Sequence, residues 1–303
     1  MTDRAPLGGV LVPVTTPFDP VTGDLAPVSL RDNARACLAD GVQGVVATGS
    51  TGEASLLDEA EFRQLVEWLR DVVPPERTLV VGAGRESTRA TLEACRVAGE
   101  FGADAVLVRA PAYYGGSLSP AALTDHFRRV ADGSPVPVLV YNIPKYTHVA
   151  LADRLLSALA DHPNVVGVKD SSGDLKNFAA YAAATPGWAH FMGSGSHFYA
   201  ALELGAAGGI LAVANPATTL ACEVWDAWSS GDRAAAGAAQ ERLTPINKLV
   251  VGELGVPGVK AALDVVGRVG GPVRPPLADL GDRDRDRIGA ALRTGGVRVV
   301  ATD

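Results

Sequence analysis

Asn164-Val165-Val166-Gly167-Val168-Lys169-Asp170 is an apolar run closed by a lysine and an aspartate. A short, continuous β-branched run reads as a strand covered on both faces, as in a parallel sheet packed between helices. A lysine at the end of such a strand has two readings. It can close the strand while its amine reaches solvent or a carboxylate. It can also lose water, which favours the neutral amine, and a neutral amine attacks carbonyl carbon. Only five lysines (145, 169, 176, 248 and 260) stand among the 27 basic residues. In so arginine-rich a chain each lysine carries more information.

The same texture repeats on either side. Apolar runs at Val10–Val14, Gly44–Thr48, Thr78–Gly82, Ala105–Arg109, Val138–Tyr141, Val165–Lys169, His190–Met192 and Gly209–Val213 read as strands. Stretches of helical periodicity fall after them: Val28–Ala39, Asp58–Val72, Thr88–Phe101, Pro120–Ala131, Ala150–Ala160, Asp174–Ala184, His197–Leu204 and Thr218–Trp228. Asp58 ahead of Glu61, and Ser87, mark helix starts. Gly41 and Gly102 mark helix ends. Eight strand–helix pairs over about 225 residues predict a (β/α)8 barrel. A doubly wound nucleotide-binding sheet would open on a glycine-rich turn, and Pro13-Val14-Thr15-Thr16-Pro17 is not one. Beyond Gly231 the alternation stops, and helices are expected over Arg233–Val251, Val256–Arg268 and Asp284–Thr294. The chain thus divides into a barrel, 1–230, and a C-terminal helical domain, 231–303.

A net charge of −7 argues against a nucleic-acid partner. No apolar stretch is long enough to span a bilayer, and the first residues lack the pattern of a secretory leader. A cytoplasmic protein is expected, with no membrane partner. Cys37, Cys95 and Cys222 are odd in number and lie in helical patterns, so they read as buried hydrophobes. The five histidines form no metal-binding spacing, and no metal is expected.

A (β/α)8 barrel keeps its active site at the C-terminal ends of its strands. Gly49-Ser50-Thr51-Gly52-Glu53 falls there after the second strand: the glycines permit a tight turn, two hydroxyls can bind a carboxylate, and Glu53 reads as structural. Tyr113-Tyr114 follows the fourth strand and, taken alone, reads as surface or interface packing. Tyr141-Asn142-Ile143-Pro144 ends the fifth, where a phenol can relay protons or simply cap the strand. Lys169 ends the sixth. Gly193-Ser194-Gly195-Ser196 follows the seventh, where it can cradle a phosphate or leave room for a cavity; the latter reading is preferred. A lysine, a tyrosine and two hydroxyls facing one mouth suit imine chemistry.

Gly49-Ser50-Thr51-Gly52-Glu53, Tyr141-Asn142-Ile143-Pro144 and Gly167-Val168-Lys169-Asp170 together resemble the dihydrodipicolinate synthase / N-acetylneuraminate lyase superfamily, from about Gly8 to the C-terminal helices. The resemblance implies class I, pyruvate-dependent aldolase chemistry without a metal, and a homotetramer. It implies an imine on Lys169, with Tyr141 as the adjacent acid and base. Ser50 would link Tyr141 to a tyrosine donated by a neighbouring subunit, either Tyr113 or Tyr114, with Tyr113 preferred. Thr51 would hold the pyruvate carboxylate, and the Ile210 backbone would border the site.

Within that superfamily, dihydrodipicolinate synthases generally carry an arginine two residues after the proline of the YNxP motif. Here that position is Tyr146. The acidic pair of N-acetylneuraminate lyases after strand seven is also missing. Pro111-Ala112-Tyr113-Tyr114, Lys169-Asp170-Ser171-Ser172-Gly173-Asp174 and Gly271-Pro272-Val273-Arg274-Pro275-Pro276-Leu277 are similar to the 4-hydroxy-2-oxoglutarate aldolase branch, in which Ser171 would help position substrate. The expected activity is therefore cleavage or formation of a carbon–carbon bond beside a pyruvate unit, on a small 2-oxo acid such as 4-hydroxy-2-oxoglutarate. Rival readings are a dihydrodipicolinate synthase, a sugar-acid dehydratase and a non-catalytic binding protein.

Overall fold

The computed structural model describes residues 7–300. Eight strands close into one parallel barrel: β1 Gly9–Pro13, β2 Gly44–Ala47, β3 Thr78–Gly82, β4 Ala105–Arg109, β5 Val138–Asn142, β6 Val165–Asp170, β7 Ala189–Met192 and β8 Gly208–Ile210. The first strand pairs with both the second and the eighth, so no edge is left open.

Local sequence explains the connecting helices. Glu59–Arg70 begins in a reciprocal cap: Asp58 Oδ1 accepts the Glu61 N–H at 2.8 Å, and Glu61 Oε2 accepts the Asp58 N–H at 2.9 Å. Ser87 caps Thr88–Glu100 by accepting the Ala90 N–H at 3.1 Å. Gly41 and Gly102 take the left-handed conformation behind their helices. All three cysteines are free and buried.

Several expected bounds move. The eighth strand ends at Ile210 instead of Val213, because Ala212–Ala214 coils into a 3₁₀ turn that the apolar run does not betray. The expected helix Ala150–Ala160 shrinks to Asp153–Ser157. Its first residues are drawn out, with the Leu151 N–H donating to Asn142 Oδ1 at 3.1 Å. Pro144–Thr147 makes a single helical turn with proline at its first position. The expected helix Arg233–Val251 is α-helical only to Asn247; Lys248–Glu253 then winds as a π-helix before the helix Gly255–Val265. The last helix, Asp282–Thr294, starts at the alternating charges.

Strand residues sort onto two faces. Leu11, Val46, Val80, Leu107, Leu139, Phe191 and Ile210 fill the barrel. Val10, Val45, Val81, Val106, Val140 and Val168 join the layer beneath the helices, to which Leu243, Ile246, Val250 and Ile288 of the C-terminal helices also belong. The register of β6 breaks once. Val165 pairs with Val138, yet Gly167 pairs with Leu139, so Val166 is an extra residue. This bulge aims Lys169 inward beside Tyr141, its partner in register. Continued without it, the β6 pairing would turn Lys169 to the outer face. Among the described residues, no helix is long and apolar enough to cross a membrane.

Candidate active site

Lys169 is 5% exposed and lies at the C-terminal mouth of the barrel. Its Nζ sits 4.3 Å from the centroid of the Tyr141 ring. It forms no ion pair among the described residues. The neighbouring Asp170 is fully buried and fully engaged. Its Oδ1 accepts from Asn142 Nδ2 at 2.8 Å and the Ser172 N–H at 3.0 Å, and its Oδ2 accepts from Ser172 Oγ at 2.9 Å and Asn177 Nδ2 at 3.1 Å. Asn142 and Asp170 thus tie together the strand ends that carry Tyr141 and Lys169, while the lysine itself is left to the cavity.

That cavity measures about 180 Å³ and is bordered by Ser50, Thr51, Tyr141, Lys169, Ser171 and Ile210. Six sequence-predicted site residues therefore meet around one space. Tyr113 does not. It is 82% exposed, stacks edge-on against Tyr114 at 4.9 Å between centroids, and stands outside its own chain's cavity. Its loop is nevertheless fixed, because Glu86 Oε2 accepts the N–H groups of both Ala112 and Tyr113 at 2.9 Å. Arg109 pairs with the same carboxylate at 2.9 Å. Burial works against the Glu86 carboxylate, but the two backbone donors and Arg109 together hold its carboxyl below the usual range.

Ser50 and Thr51 are placed by the turn after β2. Thr48 and Glu53 both adopt left-handed backbone angles on either side of it. Thr16 Oγ1 donates to the Gly52 carbonyl at 2.7 Å. Glu53 is structural, as its position suggests. It is 3% exposed, accepts the Arg274 N–H at 2.8 Å and lies 2.5 Å from Lys260 Nζ. Burial pushes the Lys260 amine below its ordinary value, against the pull of Glu53. Two lysines are therefore buried, but only Lys169 borders the cavity.

Gly193 leaves room, as its loop's composition suggests. A Cβ there would fall 1.9 Å from Ser171 Oγ. Other residues at the mouth are not evident from sequence. Asn247, Val251 and Gly252 enter from the end of the α-helix and the π-helical turn. Tyr146 borders both this cavity and a second, larger one of about 600 Å³, which adjoins it at Ser50 and Tyr141 and reaches Glu86 and Arg109. Burial, and after it the Tyr141 phenol, raises the Tyr146 phenol above its ordinary value. Among the described residues, no group of three His, Cys, Asp or Glu side chains is placed to hold a metal.

This arrangement has counterparts in known proteins. The profile of the dihydrodipicolinate synthetase family matches residues 6–294. An uncharacterized DapA-like lyase of Halobacterium salinarum is 37% identical over 294 residues, covering 96% of each chain. The 4-hydroxy-tetrahydrodipicolinate synthase of Methanopyrus kandleri is 34% identical over 294 residues, covering 95% of this chain and 96% of its own. The crystal structure of the chloride-inhibited dihydrodipicolinate synthase of Acinetobacter baumannii, complexed with pyruvate, superposes with a TM-score of 0.91 at 29% identity, covering 96% of this chain and 99% of that one. These names do not single out the 4-hydroxy-2-oxoglutarate aldolase branch. With the whole barrel and its C-terminal helices matched, the chain belongs to the dihydrodipicolinate synthetase family and is a lyase.

Proposed function

We propose that the protein is a class I aldolase acting on a small 2-oxo acid such as 4-hydroxy-2-oxoglutarate, through an imine on Lys169. The observation that carries this reading is the buried, unpaired Lys169 amine beside the Tyr141 ring in a cavity lined with hydroxyls. In the cleavage direction the amine adds to the substrate ketone and water leaves. Tyr141 takes up the proton of the C4 hydroxyl, directly or through the carboxylate or water. The C3–C4 bond then breaks, its electron pair flows into the iminium as an enamine, and the aldehyde departs. Protonation of the enamine and hydrolysis release pyruvate. Ser50, Thr51 and Ser171 hold the acid group and the chain in register, and the Ile210 backbone closes one side. The chemistry calls for no metal. Tyr113, exposed on its own chain, enters a neighbour's site in a homotetramer, where Ser50 links it to Tyr141.

A second reading has its own support. Relatives named 4-hydroxy-tetrahydrodipicolinate synthase favour condensation of pyruvate with aspartate semialdehyde. Tyr146 speaks against it, since a phenol supplies no guanidinium fork for that aldehyde's carboxylate. Borohydride reduction with pyruvate, followed by mass analysis of the Lys169 peptide, tests the imine. Turnover of 4-hydroxy-2-oxoglutarate beside aspartate semialdehyde tests the ranking. Comparable rates on both would overturn it.

A further inference from the structure

The turn after β7 brings a serine and a histidine together at the small cavity. Ser194 borders that cavity, and His197 Nδ1 lies 3.2 Å from its Oγ. His197 is half-buried, and its ring makes no other hydrogen bond among the described residues. The turn is held from behind. Gln240 Nε2 donates to the Gly195 carbonyl at 2.8 Å, and Asn247 Nδ2 donates to Ser196 Oγ at 2.8 Å. The strand order sets Ser194 apart from Tyr141. Lys169 on β6 is in register with Tyr141 on β5 and with Phe191 on β7, and Ser194 lies in the turn beyond Phe191. The Lys169 amine thus has a phenol on one flank and a hydroxyl–imidazole pair on the other.

Cleavage through an imine has two halves, each with its own proton transfers. In the first, a proton leaves the C4 hydroxyl and the C3–C4 bond breaks. In the second, a proton reaches C3 of the enamine and water hydrolyses the iminium. Tyr141 serves the first half. Resting on the imine reading of Lys169, we propose that Ser194 and His197 serve the second. Ser194 Oγ gives its proton to C3; the enamine electron pair forms the new C–H bond, and the nitrogen becomes an iminium again. The Nδ1 proton of a charged His197 moves to Ser194 Oγ in the same event. Water then adds to the iminium carbon, and the proton it sheds returns through Ser194 to Nδ1. The carbinolamine collapses to pyruvate and the free Lys169 amine, and the pair regains its starting charge. Ser194 meets the reacting carbon, while His197 acts through Ser194.

Pyruvate alone isolates the second half, because interchange of imine and enamine exchanges its methyl protons with solvent. This exchange, followed by NMR in D₂O, does not depend on which aldehyde the enzyme releases. Ser194→Ala and His197→Ala are each expected to slow it on the order of 10²-fold. Borohydride trapping on Lys169 should persist in both. In a single turnover of 4-hydroxy-2-oxoglutarate, the aldehyde should appear at nearly the wild-type rate while pyruvate lags. Added imidazole should restore exchange to His197→Ala but not to Ser194→Ala, a rescue that a merely structural histidine would not show. Unchanged exchange in both variants, equal slowing of aldehyde and pyruvate, or slowed exchange in His197→Ala that imidazole leaves slow would overturn the role of the pair. If borohydride with pyruvate adds no mass to the wild-type Lys169 peptide, the imine reading fails, and the proposal with it.

Discussion

Lys260 places its ammonium 2.5 Å from Glu53, the residue that closes the turn carrying Ser50 and Thr51. The pair joins a helix of the C-terminal region to the active-site turn across the floor of the mouth. Lys260 Nζ also donates to the Pro272 carbonyl at 2.6 Å, and it lies 4.4 Å from the Phe18 ring centroid. Removing one partner strands a buried charge. Glu53→Gln or Lys260→Met is therefore expected to cost about 3–5 kcal/mol in urea unfolding, with the double variant costing less than the sum. An additive double variant would mean that the two charges do not sense each other.

Lys169→Met is expected to abolish borohydride trapping by pyruvate and to lower turnover on the order of 10³-fold or more. Tyr141→Phe should retain trapping but lose roughly 10²- to 10⁴-fold in kcat, because the amine survives while the proton carrier does not. Trapping in the Lys169→Met protein at another lysine would move the chemistry elsewhere.

Tyr113→Phe is expected to lower kcat roughly 10²-fold, and Tyr114→Phe only a few-fold. A sharper readout is complementation. Lys169→Met and Tyr113→Phe proteins, each impaired, should regain activity when unfolded and refolded together, because some mixed sites would then combine an intact lysine with an intact tyrosine. No regain would remove the neighbour's tyrosine from the site.

Gly193→Ala would drive a methyl into Ser171 Oγ and toward the Asp170 carbonyl, 2.9 Å away. The expected cost is about 1–3 kcal/mol of stability, with a rise in KM as Ser171 is displaced. A crystal structure of the variant with Ser171 unmoved would contradict this account.

Arg274 grips Glu61 through both guanidinium nitrogens, at 2.6 and 2.7 Å. Hydrogen bonds from Arg274 are the largest cause holding the Glu61 carboxyl below its ordinary value of 4.5. A lowered folded value means that the unfolded chain takes up the proton first. The stabilisation is thus complete above the ordinary value and is lost as pH falls through the folded one. The urea midpoint should drop between pH ~5 and ~3 more steeply for the wild type than for Glu61→Gln. Parallel curves would show that this carboxylate carries none of the acid sensitivity.

The barrel was legible because its strands are short apolar runs separated by capped helices, and Asp58, Ser87 and Gly102 mark their ends in the local chain. The cavity residues on strand ends were legible for the same reason: Lys169 and Tyr141 inherit their place from the fold. What escaped depends on partners distant in sequence. Lys260 carries no local sign that it meets Glu53. The inward aim of Lys169 rests on a bulge at Val166, one β-branched residue among several. The π-helical turn follows a helix whose periodicity continues through it, with only Pro245 and Gly252 to hint at irregularity. Tyr113 meets Tyr114 and, through its backbone, Glu86, and neither contact brings its ring to the cavity of its own chain.

That turn bears on how the family can vary. A π-helical segment holds an extra residue within the course of a helix, and removing one residue lets a regular helix resume. Lys248–Glu253 delivers Val251 and Gly252 to the cavity from outside the barrel strands. A single-codon insertion or deletion there would reshape the roof above the Lys169 amine and leave the eight strands in register. Substrate preference can thus drift by changes in length, at little risk to folding, while the chemistry below stays fixed.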